Sequence, residues 1–301
     1  MNVVTDIKGL SGQNYVATIG VFDGVHRGHR YLIDFVCQLA QSKGLQSMVV
    51  TFSEHPAVVL GHEAPPQLLT LDEKLAQIAQ AGVDTCVVLP FSREMAALSA
   101  ADFMQQVLRD ALCVKVLVMG YDHRFGSERE SDFSFYQRLG NHFGIEVVRA
   151  KRFGKVSSSR IRQLLHEGRM EEAGEMLGYA YRFRGIVIDG DKRGRKLGFP
   201  TANLRVDARK QLPCPGVYSA RVEWKGKLFK GMMNIGSSPT FLSNGIRPPE
   251  VHILQFDEDI YGEELTVEPV KRLRSERSFQ TVDELVSQLK SDAVEAEKIT
   301  L

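Results

Sequence analysis

The sequence predicts an α/β domain followed by an all-β domain, on three observations. In residues 1 to about 150, apolar strand-like runs alternate with amphipathic helix-like segments. From Tyr181 to about Glu268 the pattern changes to short strands with alternating side chains, separated by Gly and Pro. A length of 301 residues suits two domains of roughly 150 residues each. We place the boundary near Tyr179, which gives domains of residues 1–179 and 180–301.

The strands of the N-terminal domain are predicted from apolar runs rich in Val, Ile and Leu, which are typical of strands buried on both faces. These runs are 15–20, 46–52, 85–89, 114–120 and 145–150. Helices are predicted between them, at 28–43, after the capping pair Thr70 and Glu73, and after Ser99. Because strands and helices alternate, we expect a Rossmann-like parallel sheet that binds its ligand beyond the carboxyl ends of the strands.

The C-terminal domain is predicted to be a small antiparallel β-barrel with a terminal helix. Its strand candidates are the stretches RGIVID, GVYSARVEW, LFKGMMNIG and EVHILQF. Two helices are predicted just before it, at 157–167 and 170–177. A capping pair, Thr281 with Glu284, begins a last helix that we expect to pack on the barrel.

Composition narrows the class of protein. Lys and Arg number 38 against 37 Asp and Glu, a net charge of +1 that argues against a nucleic-acid-binding protein. No apolar run approaches the ~18 residues of a membrane span, and the first residues do not resemble a signal peptide. The cysteines are far apart and form no CxxC pair, which indicates neither a disulfide framework nor a zinc site. We therefore expect a soluble cytoplasmic protein.

The first candidate site is the stretch TIGVFDGVHRGH, in which a predicted strand leads into a helix. Gly20, Gly24 and Gly28 allow close approach of backbone to a ligand, and the helix N-terminus suits a phosphate. His26 and His29 can donate hydrogen bonds to phosphate oxygens, and a protonated imidazole would offset charge in a phosphoryl-type transition state. The alternative is a capping His beside a surface His. The HxGH spacing after an apolar strand favours a nucleotide site over that alternative and over a metal pair.

A second phosphate-binding element is predicted at the stretch SSSRIR. Ser157, Ser158 and Ser159 open a helix, and Arg160 and Arg162 follow in its first turn. Hydroxyls, backbone N–H groups and a guanidinium together can clamp a phosphate. Alone, the stretch reads as an ordinary capped helix, and its pairing with HxGH in one domain favours the clamp.

A third candidate is the basic loop GDKRGRKLGFPTAN. Four Lys and Arg residues stand among Gly190, Gly194 and Gly198, so the loop can wrap a polyphosphate. Thr201 and Asn203 can place a hydroxyl and an amide oxygen on one hard cation such as Mg²⁺. Composition alone favours a solvated basic hairpin.

The motifs in this order resemble the prokaryotic bifunctional riboflavin kinase/FMN adenylyltransferase (FAD synthetase) family. GVFDGVHRGH, TFSEHP, MGYDHRFG and VSSSRIRQLL resemble its nucleotidyltransferase module, and GRKLGFPTANL, MNIGSSPTF, EVHILQF and RLRSERSF resemble its kinase module. The resemblance covers about residues 14 to 292. It implies two reactions that use ATP with Mg²⁺: phosphorylation of riboflavin to FMN, and adenylylation of FMN to FAD.

The resemblance also implies roles for particular residues. Glu250 would be the catalytic base of the kinase, with His26 and His29 catalytic in adenylyl transfer. Thr201 and Asn203 would hold the metal, and Asp122 and Arg274 would contact the flavin. The implied ATP-binding residues are Gly20, Phe22, Asp23, Gly24, Gly28, Ser157, Ser158, Ser159, Arg162, Gly190, Lys192, Arg195 and Gly198.

This sequence departs from the family pattern at a few positions. Glu54 stands where Pro is common, His123 where Phe is common, Ser159 where Thr is usual and Ser131 where Gly is common. One alternative is thus a riboflavin kinase whose adenylyltransferase module only binds flavin or nucleotide. Another is a flavin-sensing binding protein, against which the set Thr201, Asn203 and Glu250 argues, because a sensor needs no general base.

Overall fold

The computed structural model describes residues 1–7, 13–121, 123–128, 132–190, 193–236 and 248–301. Contacts divide the chain into two units, Met1–Ser157 and Ser158–Leu301. The predicted fold class, an α/β domain followed by an antiparallel barrel with a terminal helix, is confirmed.

Within the described residues, the first unit is built on a six-stranded parallel sheet of order β1-β4-β3-β2-β5-β6. The strands are β1 (Asn2–Val4), β2 (Tyr15–Ile19), β3 (Gln46–Phe52), β4 (Thr85–Leu89), β5 (Val114–Met119) and β6 (Glu146–Arg149). The helices are α1 (Arg27–Lys43), α2 (Pro56–Val59), α3 (Leu71–Ala79), α4 (Arg93–Ala97), α5 (Ala100–Asp102) and α6 (Phe133–Phe143).

The core of this unit follows from the apolar runs. Every residue of β2 is buried, as expected for a central parallel strand. Helix α1 buries Leu32, Ile33, Val36 and Ala40 on one face and ends at Gly44 in the left-handed conformation. The capping box of Thr70 and Glu73 is present at the start of α3.

The strand order places a switch point beside β2. The chain leaves β2 for β3 and β4 on one side, then returns to β5 on the other side of β2. In open α/β sheets the loops that diverge at such a point leave a crevice at the carboxyl ends of the strands. The loop that carries His26 follows β2 at this edge.

Two elements of this unit differ from the sequence prediction. Strand β1 was not predicted, since its three residues are mostly exposed and pair only with the edge of β4. The helix predicted after Ser99 begins as α5 and continues as a π-helix over Phe103–Ala111. Its apolar face still buries Phe103, Met104, Val107 and Leu108. Residues at this spacing lie on about the same side of a π-helix as of an α-helix, so the same side chains are buried.

The second unit contains a closed barrel of order β10-β11-β8-β7-β12-β9 among its described residues. Its strands are β7 (Phe183–Ile188), β8 (Ala202–Arg205), β9 (Gly216–Trp224), β10 (Lys227–Ile235), β11 (Glu250–Ile253) and β12 (Glu264–Arg274). Its helices are α7 (Ser158–Glu167), α8 (Met170–Leu177), α9 (Arg193–Lys196) and α10 (Val282–Glu297). β8 and β12 were not singled out from the sequence.

The terminal helix α10 packs on the barrel, as predicted. Arg274 at the end of β12 donates to the buried carboxylate of Asp292 at 2.8 Å and 3.0 Å. Lys230 donates to the carbonyl of Glu297 at 2.6 Å, and Arg221 to that of Thr300 at 2.6 Å. Cations at the C-terminal end of a helix also interact favourably with its dipole.

Helices α7 and α8 lie in the same unit as the barrel. The backbone N–H of Cys214 donates to the carbonyl of Leu165 at 3.1 Å. Gly168, between the helices, approaches the side chain of Arg272 so closely that a Cβ would lie 2.6 Å from its Cδ. The contact boundary therefore falls at Ser157, whereas the domain limits 1–179 and 180–301 stay a prediction.

Across the described residues, no helix is both long enough and apolar enough to cross a membrane.

Two helical glycines give opposite predictions for Gly→Ala. A Cβ at Gly140 in α6 would lie 2.4 Å from both the carbonyl of Ile145 and the side chain of Val147, so Gly140→Ala should destabilise the first unit by about 1–3 kcal/mol. At Gly174 in α8 the nearest atom is 3.5 Å away, so Gly174→Ala should stabilise by roughly 0.5–1 kcal/mol. Urea denaturation followed by circular dichroism measures both. Equal effects of the two substitutions would contradict this packing.

Candidate active sites

The loop after β2 brings its two histidines into direct contact. His26 is the N-cap of α1, and its Nδ1 accepts a hydrogen bond from the backbone N–H of His29 at 3.2 Å. The two imidazoles stack with ring centroids 3.7 Å apart and an interplanar angle of 11°. The spacing HxGH therefore places both rings side by side at the N-terminus of a helix, where backbone N–H groups are also exposed to a ligand.

Burial decides the charge of these imidazoles. Desolvation lowers the pKa of His26 from 6.5 to about 4. The pKa of His29 is also held well below its usual value, first by burial and then by the adjacent His26. In the free protein near pH 7 both rings are neutral. The imidazolium considered in the sequence analysis is thus disfavoured, and the rings serve as hydrogen-bonding groups.

The ring of His29 carries a buried nitrogen. Its Nδ1 is enclosed and has no hydrogen-bond partner in the part of the chain that the structure describes. The ring of Phe22 packs edge-on against it, with centroids 5.2 Å apart. Buried polar atoms are nearly always paired, so an unpaired one beside a helix N-terminus suits a site that a polar substrate completes.

The backbone of this loop is strained. Phe22 and Val25 have positive φ angles of 52° and 33°, which non-glycine residues rarely adopt, and both side chains are buried. Gly24 has a φ of 82°, which glycine adopts at little cost. A Cβ at Gly28 would lie 3.2 Å from the ring of His26, and a Cβ at Gly20 would lie 3.2 Å from the ring of Phe22. These glycines therefore make room for the loop's own aromatic rings.

Asp23, a predicted ATP-binding residue, anchors the next segment of the chain. Its Oδ1 accepts from the backbone N–H groups of Leu68 at 2.9 Å and Leu69 at 3.3 Å. This carboxylate ties the histidine loop to the segment before α3.

The serine run begins helix α7, as the sequence predicts. Ser157 is the last residue of the first unit, and Ser158, Ser159 and Arg162 lie in the first turns of α7 in the second unit. Arg160 forms a 3.8 Å ion pair with Glu167 on the same helix.

Some predicted positions lie outside the described residues. These are Asp122, Lys192 and Ser131, together with the end of the motif MNIGSSPTF. Of the other departures from the family pattern, Glu54 is exposed beside a small hollow that Asp23 and Lys74 also line. His123 lines a second hollow with Gly120, Tyr121 and Arg149 at the end of β5.

In the barrel, strand pairing brings Glu250 opposite Asn203. β11 pairs with β8 in the register Glu250↔Asn203, and with β10 in the register Asn234↔Glu250. Residues directly opposite in an antiparallel pair have Cβ atoms about 4.5–5.5 Å apart, so an Asn flanks the carboxylate on each side. Thr201 and Asn203 share this face, since they are two residues apart along the extended chain.

Two glycines of the basic loop lie directly against the predicted metal ligands. A Cβ at Gly190 would lie 2.1 Å from Nδ2 of Asn203. A Cβ at Gly194 would lie 2.2 Å from the carbonyl oxygen of Phe199 and 3.3 Å from Oγ1 of Thr201. The amide nitrogen of Asn203 is nearest to Gly190, with its oxygen farther away at 3.0 Å from the same point. Because these loop positions are glycines, the backbone can pack close to the amide of Asn203 and the hydroxyl of Thr201. Gly198 has a φ of +80° and no atom within 4 Å of its Cβ position.

His252 is a residue that the sequence analysis did not select. Its Nδ1 lies 2.7 Å from the carbonyl oxygen of Pro200, which can only accept, so this nitrogen carries the proton. The ring also packs edge-on against Phe199 at 5.3 Å. His252 therefore fixes the turn immediately before Thr201. His252 is two residues after Glu250 in the strand EVHILQF, so both side chains lie on one face. That spacing was the feature of the sequence that could have identified His252.

The barrel unit has a cavity of about 440 Å³ at the mouth of these strands. Its lining combines apolar side chains with Arg195, Thr201 and an acidic segment; the residues are Val187, Arg195, Pro200, Thr201, Ala202, Val251, Ile253, Phe256, Asp257, Glu258, Asp259, Ile260 and Tyr261. Since Val251 and Ala202 alternate with Glu250 and Asn203, the cavity and the carboxylate lie on opposite faces of the strands. Thr201 borders the cavity and is shared with the face of Glu250.

Arg274, predicted to contact flavin, forms an ion pair with Asp292 and lies 5.8 Å from the ring centroid of Phe279. Its guanidinium is thus already engaged with the terminal helix. Among the described residues there is no cluster of three His, Cys, Asp or Glu side chains that could hold a metal ion.

Models of two protein families match the chain in sequence order. The FAD synthetase family matches residues 10–163, and the riboflavin kinase family matches residues 177–300. The first match contains His26, His29 and the serine run, and the second contains Thr201, Asn203 and Glu250.

Curated relatives are similar over nearly the whole chain. A bifunctional riboflavin kinase/FMN adenylyltransferase of Escherichia coli K12 is 38% identical, over 98% of this chain and 97% of the relative. One of Listeria monocytogenes serovar 1/2a is also 38% identical, over 93% of this chain and 90% of the relative.

One solved structure is similar from end to end. A Streptococcus pneumoniae protein described as a macrolide-efflux protein covers 99% of both chains, with a TM-score of 0.86 and 32% identity. The two family models together cover most of the chain, and the curated relatives are similar over at least 93% of it. The chain therefore belongs to the bifunctional riboflavin kinase/FMN adenylyltransferase family.

Proposed function

We propose that this protein makes FAD from riboflavin in two ATP-dependent steps, one in each unit. The main support for the proposal is that one chain matches both families. The first match contains the stacked pair His26 and His29, and the second contains Thr201, Asn203 and Glu250. The barrel phosphorylates riboflavin to FMN and releases ADP. The parallel-sheet unit adenylylates FMN to FAD and releases pyrophosphate.

In the kinase step, Glu250 is the general base. Its carboxylate takes the proton of the ribityl 5′-hydroxyl as that oxygen attacks the γ-phosphorus of ATP, and the bond to the β-phosphate oxygen breaks. Asn203 and Asn234 lie opposite Glu250 on the two neighbouring strands. Gly190, Lys192, Arg195 and Gly198, the predicted ATP-binding residues of the basic loop, are proposed to bind the phosphates. The cavity beside Thr201 receives the adenosine, since it joins apolar walls to acidic acceptors for the amino group of adenine.

The oxygens of Thr201 and Asn203 fit Mg²⁺. A hydroxyl and an amide oxygen are hard ligands of the kind that Mg²⁺ takes, and the two residues are spaced to share one face of the extended chain. The ion would neutralise charge on the ATP phosphates. His252, through Pro200, holds the backbone that carries Thr201.

In the adenylylation step, a phosphate oxygen of FMN attacks the α-phosphorus of ATP and the bond to pyrophosphate breaks. This reaction needs positioning and charge stabilisation rather than a protein nucleophile. His26 and His29 donate hydrogen bonds to the α-phosphate and the leaving group, with the N–H groups at the start of α1. Gly20, Phe22, Asp23, Gly24 and Gly28 shape the loop around the nucleotide. The phosphates of ATP are proposed to bind the serine run and the arginine that follows it: Ser157, Ser158, Ser159 and Arg162. Flavin is proposed to contact Asp122 in adenylyl transfer and Arg274 in the kinase step.

Glu250→Gln and His29→Ala should separate the two activities. Glu250→Gln should lower FMN formation from riboflavin about 10²-fold or more, because the general base is lost, and should leave FMN-to-FAD conversion unchanged. His29→Ala should do the reverse, about 10²-fold, because a hydrogen bond to the transition state is lost. Chromatography of flavins after incubation with ATP and Mg²⁺, starting from riboflavin or from FMN, measures both. Equal loss of both activities in either variant would refute the assignment of the two sites.

Gly190→Ala should impair the kinase alone. A Cβ 2.1 Å from the amide of Asn203 must displace that amide, and such a shift in a positioning group should lower the kinase kcat by roughly 10- to 100-fold. The control is Gly226→Ala in the β9–β10 turn, where no atom lies within 4 Å and only a φ of +74° is strained. Steady-state kinetics of both reactions compares them. A Gly190→Ala enzyme with wild-type kinase kcat would show that Asn203 needs no such backbone contact.

The buried His26 predicts a pH dependence of stability. The pKa of His26 is about 4 in the folded protein and about 6.5 in the unfolded chain. Between these pH values the unfolded state binds more protons than the folded state. The folded protein therefore loses stability as the pH falls from about 6.5 toward 4. His26→Asn keeps an N-cap acceptor but removes this titration. Its stability should fall less over that window, by up to roughly 3 kcal/mol.

Urea denaturation at several pH values, followed by circular dichroism, tests this. Fluorescence of Trp224, the single tryptophan, reports the barrel unit and serves as the internal reference. Parallel stability profiles for wild type and His26→Asn would contradict a neutral, buried His26.

A further inference from the structure

Lys74, a residue of the first unit that the proposed mechanism does not use, has a buried ammonium group. It lies in the first turns of α3, and only 8% of its surface is exposed. Its Nζ donates to the carbonyl of Phe52 at 2.9 Å and to that of Val21 at 3.3 Å. Nothing in its sequence context, a Lys after a capping box, signalled this burial.

A buried ammonium is energetically costly unless its hydrogen bonds are made. Burial lowers the pKa of Lys74, and the nearby negative charge of Asp23 opposes that shift. The two acceptors are the carbonyl of Phe52, the last residue of β3, and the carbonyl of Val21, two residues beyond the end of β2. A single ammonium group therefore links the ends of two neighbouring strands.

One of these strand ends carries the strained loop. Val21 directly precedes Phe22, whose φ is +52°, and the carbonyl of Val21 also accepts from Oγ1 of Thr51 at 3.2 Å. On the other side of Phe22, the carboxylate of Asp23 is held by the N–H groups of residues 68 and 69. The backbone of Phe22 is thus held at both ends. Strained conformations persist where the surroundings over-determine them.

Contacts lead from Lys74 to the paired imidazoles. The ammonium fixes the carbonyl of Val21, Val21 is bonded to Phe22, and the ring of Phe22 packs edge-on against His29. His29 in turn stacks on His26. Relaxation of the loop at Val21 would therefore displace both rings.

We propose that Lys74 is a positioning residue for adenylyl transfer: by linking the ends of β2 and β3 it holds the loop of residues 22–25 so that His26 and His29 face the nucleotide. This inference rests on the proposed adenylyltransferase function of the first unit. Lys74 touches no reacting atom and acts through Val21 and Phe22.

The test uses the full chain and the substitution Lys74→Met, which keeps an unbranched side chain but removes the donors. We expect the kcat for FMN-to-FAD conversion to fall at least tenfold, while KM for ATP changes less than about threefold, because misplaced groups act in the transition state. The riboflavin kinase activity of the same molecules should be unchanged, which shows that the barrel unit is folded and active. Lys74→Arg, which keeps charge and donors, should recover most of the lost kcat. Lys115→Met, at an exposed lysine of the same unit, is the matched control.

Hydrogen exchange followed by mass spectrometry distinguishes positioning from general destabilisation. In Lys74→Met, exchange should rise in a peptide covering residues 20–29 and stay at wild-type levels in β4 and β5. A kcat within twofold of wild type, faster exchange throughout the sheet, or no recovery in Lys74→Arg would each overturn the proposal. A wild-type enzyme that makes no FAD from FMN would instead contradict the proposed function.

Discussion

Both sites depend on one constraint: the loop backbone packs so closely on a proposed site residue that only glycine fits there. Gly28 makes room for the ring of His26 and Gly190 for the amide of Asn203, while Gly194 makes room for the carbonyl of Phe199, two residues before Thr201. At Gly190 the clearance is smallest, since a Cβ would lie 2.1 Å from the amide of Asn203. A loop that packs on its own polar side chains holds them in one orientation, which is what transfer of a phosphoryl or adenylyl group requires of its protein.

The two units place their polar groups in different electrical environments. In the first, burial keeps His26 and His29 neutral, and a charged Lys74 is accepted in the interior only because its hydrogen bonds are made. In the barrel, Glu250 is half-buried at the start of a strand and lies between two amides. The first environment suits hydrogen bonds to a charged transition state, and the second suits proton removal from an alcohol.

The two reactions are linked by chemistry, because the FMN that the barrel produces is the substrate of the sheet unit. Each activity therefore controls for the other in any variant, since both are measured on the same molecules. The departure Glu54 lies at a hollow that Asp23 of the strained loop also lines, and His123 lies at a second hollow with Gly120, Tyr121 and Arg149. Neither departure replaces a member of the imidazole pair, His26 and His29.

The sequence by itself determined the fold class, the central strands, the HxGH loop at a helix start and the alternation that puts His252 on the face of Glu250, since all of these follow from local periodicity and capping. It did not determine β1, which is too short and exposed for a pattern, or the π-helix, whose apolar spacing is like that of an α-helix. Only the tertiary structure placed Asn203 and Asn234 beside Glu250 and packed Gly190 on Asn203. It alone buried Lys74 beneath the histidine loop and lowered the pKa of His26. These features depend on strand register and burial, which arise from residues distant in the chain and leave no local signature.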